Sequence, residues 1–207
     1  MTHITRRLVT TLLILAPAGM AAAQTAPASP PVRIRGKIQA LDGNILTVLT
    51  REGPVVKITL NDPLTVVALK KLELAAITPG SYLGIAAGPG TDGTLTALEV
   101  LVFPPAARGT GEGHGAWDLA PNSTMTNANV EAVVQSTAGN VLTLTPKGTS
   151  VKIVVPPRIP IVTPAPAQRE DLKPGETIFI FAAARAADGS LSAGRITVSK
   201  DGVAPPM

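Results

Sequence analysis

From residue 32 onward the chain is written twice. Gly43-Asn44-Ile45-Leu46-Thr47-Val48 returns as Gly139-Asn140-Val141-Leu142-Thr143-Leu144, and Val56-Lys57-Ile58 as Val151-Lys152-Ile153. Pro79-Gly80 returns as Pro174-Gly175, and Asp92-Gly93-Thr94-Leu95-Thr96-Ala97 as Asp188-Gly189-Ser190-Leu191-Ser192-Ala193. The offset is 95 or 96 throughout, so the four matches keep both order and spacing. A fixed period of this kind implies a repeated supersecondary unit.

Each copy reads as short strands. Val32–Gln39 alternates apolar and polar residues, the period of a half-buried strand. Gly36 inside it suggests a bulge or a sharp bend. Asp42-Gly43-Asn44 is turn chemistry, and Ile45–Thr50 pairs back as a hairpin. Val55–Leu60, Tyr82–Ala87 and Leu95–Phe103 complete five strands. The second copy offers strands near 128–135, 141–145, 151–155, 177–183 and 191–199. Between the third and fourth strands, Val66–Ala76 is compatible with a short helix. In the other copy that interval holds Pro160, Pro164 and Pro166, which exclude a long helix. Five short strands per unit favour a closed barrel, because closure removes unpaired edges. One larger sandwich split between the copies is the competing fold.

The alternating first strand, the Gly-Asn-x-Leu-Thr hairpin, the Pro-Gly before strand four and the Asp-Gly-x-Leu-x-Ala close resemble the small OB-like barrels found, often in tandem, in exported bacterial proteins of unknown function. The resemblance implies an all-β chain of two tandem five-stranded OB-like barrels. Its expected divisions are a signal peptide at 1–23, a flexible segment at 24–31, barrels at 32–103 and 128–202, a linker at 104–127 and a tail at 203–207 that frays. These motifs are turns and core positions, so they carry no activity.

The start of the chain reads as an address. Arg6 and Arg7 precede an apolar run from Leu8 to Met20, which ends in Ala21-Ala22-Ala23. That is a secretory signal with a cut before Gln24. The run is shorter than a bilayer span and contains Pro17 and Gly19. The mature protein is therefore expected to be exported, not membrane-spanning, and periplasmic in a Gram-negative cell. Thr5-Arg6-Arg7 has a twin-arginine flavour, but Thr10 sits where such signals favour an apolar residue. Losing Arg6 and Arg7 leaves 16 of the 18 basic residues against 14 acidic ones. Arg33, Arg35 and Lys37 are the one close basic set.

Several functions are disfavoured by what the chain lacks. It has no cysteine, so disulfide and thiolate-metal sites are excluded. One Trp, one Tyr and three Phe are few for stacking bases or sugars, which argues against a nucleic-acid partner. Phe179 and Phe181 alternate with Ile178 and Ile180, so one of these pairs must face outward or meet another surface.

The linker holds the unusual chemistry: the only histidine after the signal, His114, and the only tryptophan, Trp117. One reading packs Trp117 between the barrels, with Asp118 or Asn122 as a turn cap and His114 in solvent. Another converges Arg108, Glu112, His114, Trp117 and Asp118 on a ligand, with glycines allowing close approach. A metal variant of it uses Glu112, His114 and Asp118, a thin ligand set. A Ser123-His114-Asp118 arrangement lacks a nucleophile elbow, and Gly109-x-Gly111-x-Gly113 lacks the lysine of a phosphate loop. The expectation is a non-catalytic binding or scaffolding protein of the envelope, without a cofactor, that acts through a protein partner or small ligand at the barrel junction.

Overall fold

A computed structural model describes residues 30–90, 94–136 and 139–206. The expected signal peptide, its cut before Gln24, residues 24–29 and the Asp92-Gly93 turn lie outside the described residues. The described chain is all-β. The first copy gives β1 (Val32–Asp42), β2 (Ile45–Thr50), β3 (Val55–Lys71), β4 (Tyr82–Pro89) and β5 (Leu95–Val102). A short β6 (Gly113–Ala116) follows in the linker. The second copy gives β7 (Thr124–Ser136), β8 (Gly139–Leu144), β9 (Val151–Val155), β10 (Ile161–Pro166), β11 (Thr177–Arg185) and β12 (Leu191–Val198).

The period-two pattern sets the faces. In β2, Leu46 and Val48 are buried while Ile45 and Leu49 are exposed. Gly43 makes the preceding turn at φ +52°, a left-handed conformation that suits glycine. Gly36 is required for another reason. A Cβ there would sit 2.3 Å from the Leu49 carbonyl oxygen and 2.6 Å from Val48 Cγ1, so β1 and β2 can approach only over a bare Cα. The register shifts of β1 fall on either side of Gly36, between Val32 and Ile34 and between Ile38 and Ala40.

Strand pairing departs from one barrel per copy. β1, β2 and β3 are antiparallel neighbours. The other edge of β1 pairs with β11, β11 with β12, and β12 returns in parallel to β3, closing a five-strand ring. The second ring is β7, β8 and β9 with β4 and β5, closed by the parallel β5–β9 pair. Each copy thus places its first three strands in one barrel and its last two in the other. The cores confirm the exchange. Ile34, Leu46 and Ile58 bury with Ile178, Ile180 and Ile196, and Leu83, Ile85 and Val100 bury with Leu142, Leu144 and Ile153.

The physical reason lies in β3. Its end, Ala68–Lys71, runs past the last β12 pair at Val67 and pairs with β10, which also pairs in parallel with β5. The chain is thereby delivered to the seam between the barrels, and β4 starts in the other one. In this ladder Leu69 faces Pro164 at the repeat offset of 95. The same offset interchanges the Val67–Pro166 and Lys71–Val162 pairs, so a pseudo-twofold axis passes through the seam.

One further expectation is corrected. Val66–Lys71 is strand, not helix, because it pairs with β12 and β10 and buries Ala68 and Leu69; only Leu74–Ala76 makes a single 3-10 turn. The C-terminal segment makes contacts of its own within the described residues. Lys200 and Val203 exchange backbone hydrogen bonds, and Pro205 is buried.

Candidate functional site

Strand exchange creates the site. β1 carries Arg33 and Arg35 on its outer face, and β11 carries Phe179 and Phe181. Ile178 and Ile180 take the inner face, so both phenylalanines project from the barrel wall. Arg35 stands opposite Phe179, and its guanidinium lies 4.4 Å from that ring centre. Val32 pairs with Ala183 and Ile34 with Ile180, which leaves Phe181 and Ala182 opposite Arg33 alone. Such a bulge re-aims a side chain. Phe181 is 58 % exposed there.

The linker closes over this face. β6 pairs with the start of β7 on the second barrel, and the next residue, Trp117, reaches the first. Its ring meets Phe179 edge-on at 6.4 Å and lies roughly parallel to Phe181 at 6.0 Å. Arg33 sits over the indole at 4.3 Å from its centre. Cation–π contacts of this kind contribute about 0.5–2 kcal/mol, more as water is excluded. The loop after Trp117 is fastened by buried Ser123. Its backbone carbonyl accepts from the Trp117 N–H at 2.8 Å, and its hydroxyl accepts from the Ala120 N–H at 3.0 Å.

Asp118 supplies the counter-charge. Its carboxylate stands 3.0 Å from Arg35 Nη2 and 3.6 Å from Arg33 Nη1. The Arg35 side chain is 2 % exposed and Asp118 is 42 % exposed, so the pair runs from interior to surface. Partial burial pushes the Asp118 pKa up, but the Arg35 contact and the charges of Arg35 and Arg33 outweigh it and hold it below the usual value. Arg51, after β2, donates to the carbonyls of Asp118 at 3.1 Å and Leu119 at 3.3 Å. Among the described residues, the buried donors Arg35 Nε and Trp117 Nε1 have no hydrogen-bond acceptor. Arg35 Nη2 is met by the Asp118 carboxylate as an ion pair at 3.0 Å. Glu99 of β5, from the other barrel, feels the Arg35 charge. Burial raises its pKa to about 7, with Arg35 pulling it back.

The five linker residues marked in the sequence do not share one place. Arg108 is a tether at the second barrel, donating to the Gly80 carbonyl at 2.7 Å and to Asn129. Glu112 accepts from the Lys147 backbone N–H at 3.1 Å. His114 Nδ1 lies 2.8 Å from the Thr126 hydroxyl. Only Trp117 and Asp118 meet around one set of partners. The Ser123 hydroxyl is engaged with Trp117 and Ala120, away from the His114 contact, so the serine–histidine arrangement is not assembled. No group of three histidine or carboxylate side chains positioned for a metal occurs among the described residues.

The sequence missed Arg33, Arg35, Arg51 and Glu99 as members of the site. Two signals were present, the Arg33-Arg35-Lys37 set and the outward Phe179 and Phe181, but they belong to different copies. Comparisons with protein-family models, curated proteins and solved structures find no match for this chain. Among the described residues no helix is long and apolar enough to cross a membrane.

Proposed function

We propose that this is an exported, non-catalytic binding or scaffolding protein of the bacterial envelope that works at the junction of its two barrels through a protein partner or a small ligand. The observation that carries this reading is the Trp117–Phe181–Arg33 cluster, which leaves a large aromatic side chain more than half exposed beside guanidinium groups. Aromatic and arginine side chains are the residue types that dominate binding energy at protein interfaces. The barrels themselves are read as a strand-exchanged pair of OB-like units derived by duplication. The repeat motifs and the pseudo-twofold seam support this.

The test is a photo-crosslinking residue in place of Phe181, in the native host envelope. The proposal expects one discrete adduct, absent when the crosslinker replaces exposed Lys57 on the β3 side of the same barrel. Equal, diffuse labelling from both positions counts against it. Export is tested separately: N-terminal sequencing of the protein recovered from the periplasm should begin at Gln24.

A further inference from the structure

The polar atoms left unmatched at this junction share one sign. Among the described residues, Arg35 Nε and Trp117 Nε1 are both donors, and Arg35 is almost wholly buried. The exposed charges around Phe181 share a sign as well. The β11–β12 ladder runs from Phe179↔Thr197 to Ala184↔Ser192 in one register, which sets Arg195 opposite Phe181. Arg33 lies on the other flank, 5.5 Å from the Phe181 ring centre. Arg195 is exposed and has no ion pair among the described residues. Asp118 is one carboxylate shared between Arg33 and Arg35, so the face keeps an excess of positive charge. Phe181 stands on the outer wall of a closed barrel, whereas small ligands are taken up in concave sites. A wall with an apolar centre and cationic flanks fits a protein segment of the opposite pattern.

We propose that the Arg33–Phe181–Arg195 face, bordered by Trp117, receives an acidic segment of a partner protein that sets an apolar side chain on Phe181 between two carboxylates. This rests on the binding role proposed above and specifies its partner. Arg195 makes no contact with Trp117 or Asp118 among the interactions of the cluster, so its replacement probes recognition without disturbing the linker.

The experiment is selection of random seven-residue peptides on the purified full-length exported protein, with affinity then read from the emission of Trp117. Enriched peptides should carry acidic residues on both sides of an apolar one. Binding should weaken roughly tenfold in Arg195→Ala, be lost in Arg195→Glu and fall steeply with added salt. Enrichment of neutral or basic peptides, no retained peptide, or equal affinity in Arg195→Glu would overturn the proposal. The crosslinker at position 181 separates the two readings. A discrete envelope adduct that forms equally in Arg195→Glu removes the acidic partner and leaves the binding role standing. If peptide selection and crosslinking both fail, both readings fall.

Discussion

At the scale of single residues, the cluster around Trp117 depends on one partly exposed carboxylate. Asp118→Asn removes the counter-charge of a buried guanidinium while keeping the shape. Leaving a buried charge unpaired is costly. Because Asp118 is 42 % exposed, water screens part of that cost, and a loss of about 1–2 kcal/mol is expected in denaturant titration at pH 7. The pH dependence follows from the lowered Asp118 pKa. Its contribution is present above the unfolded value near 3.8 and is lost as pH falls through the lower folded value, so the variant should lack that acid limb. Glu99 has the opposite sign. Its folded pKa of about 7 exceeds the unfolded 4.5, so the native state holds the extra proton. Stability from this group is full below about 4.5 and declines as pH rises to about 7. Glu99→Gln should flatten that decline and be more stable than the parent at pH 8 by about 1–2 kcal/mol. Equal pH profiles for parent and variant would show that Glu99 is not held in its neutral form.

At the scale of elements, the strands were legible and their partners were not. Alternation in Val32–Gln39 and the Gly43 turn defined β1 and its hairpin, because burial on one face has period two whatever lies alongside. The same alternation does not say which strand sits on the far edge of β1. β4 and β11 are equivalent in the two copies, and Leu83 and Ile85 bury as completely as Ile178 and Ile180. Residues 66–71 were misread because a short apolar run is ambiguous in period, and here pairing with β10 and β12 decides it. The site shared that fate. Trp117 stood out as a tryptophan in a glycine-rich linker, yet its cage is drawn from β1 and β11, which lie more than 130 residues apart in sequence. Gly36 tests the element account. Gly36→Ala drives a Cβ into the Leu49 carbonyl, a backbone atom that cannot swing aside. A loss of about 1–3 kcal/mol is expected in thermal or denaturant unfolding. A variant as stable as the parent would mean β1 and β2 are farther apart than described.

At the scale of the whole molecule, the exchange ties the two halves together and assembles the site from both. Without it, Phe179 and Phe181 would lie beside β7 and never meet Arg33 and Arg35. The absence of native cysteine makes the arrangement open to a direct test with engineered pairs. Lys37 faces Thr177 across β1 and β11. Were each copy a barrel of its own, the repeat offset of 95 would put Tyr82 in the place of Thr177. Paired antiparallel residues have Cα atoms about 4.5–5.5 Å apart, within disulfide reach. The measurement is mild oxidation of Lys37→Cys/Thr177→Cys and of Lys37→Cys/Tyr82→Cys, followed by mass spectrometry of the crosslinked peptides. The exchanged fold predicts an intramolecular disulfide in the first variant and free thiols in the second. A disulfide between positions 37 and 82, with 37 and 177 left free, would contradict the exchange and the site built on it.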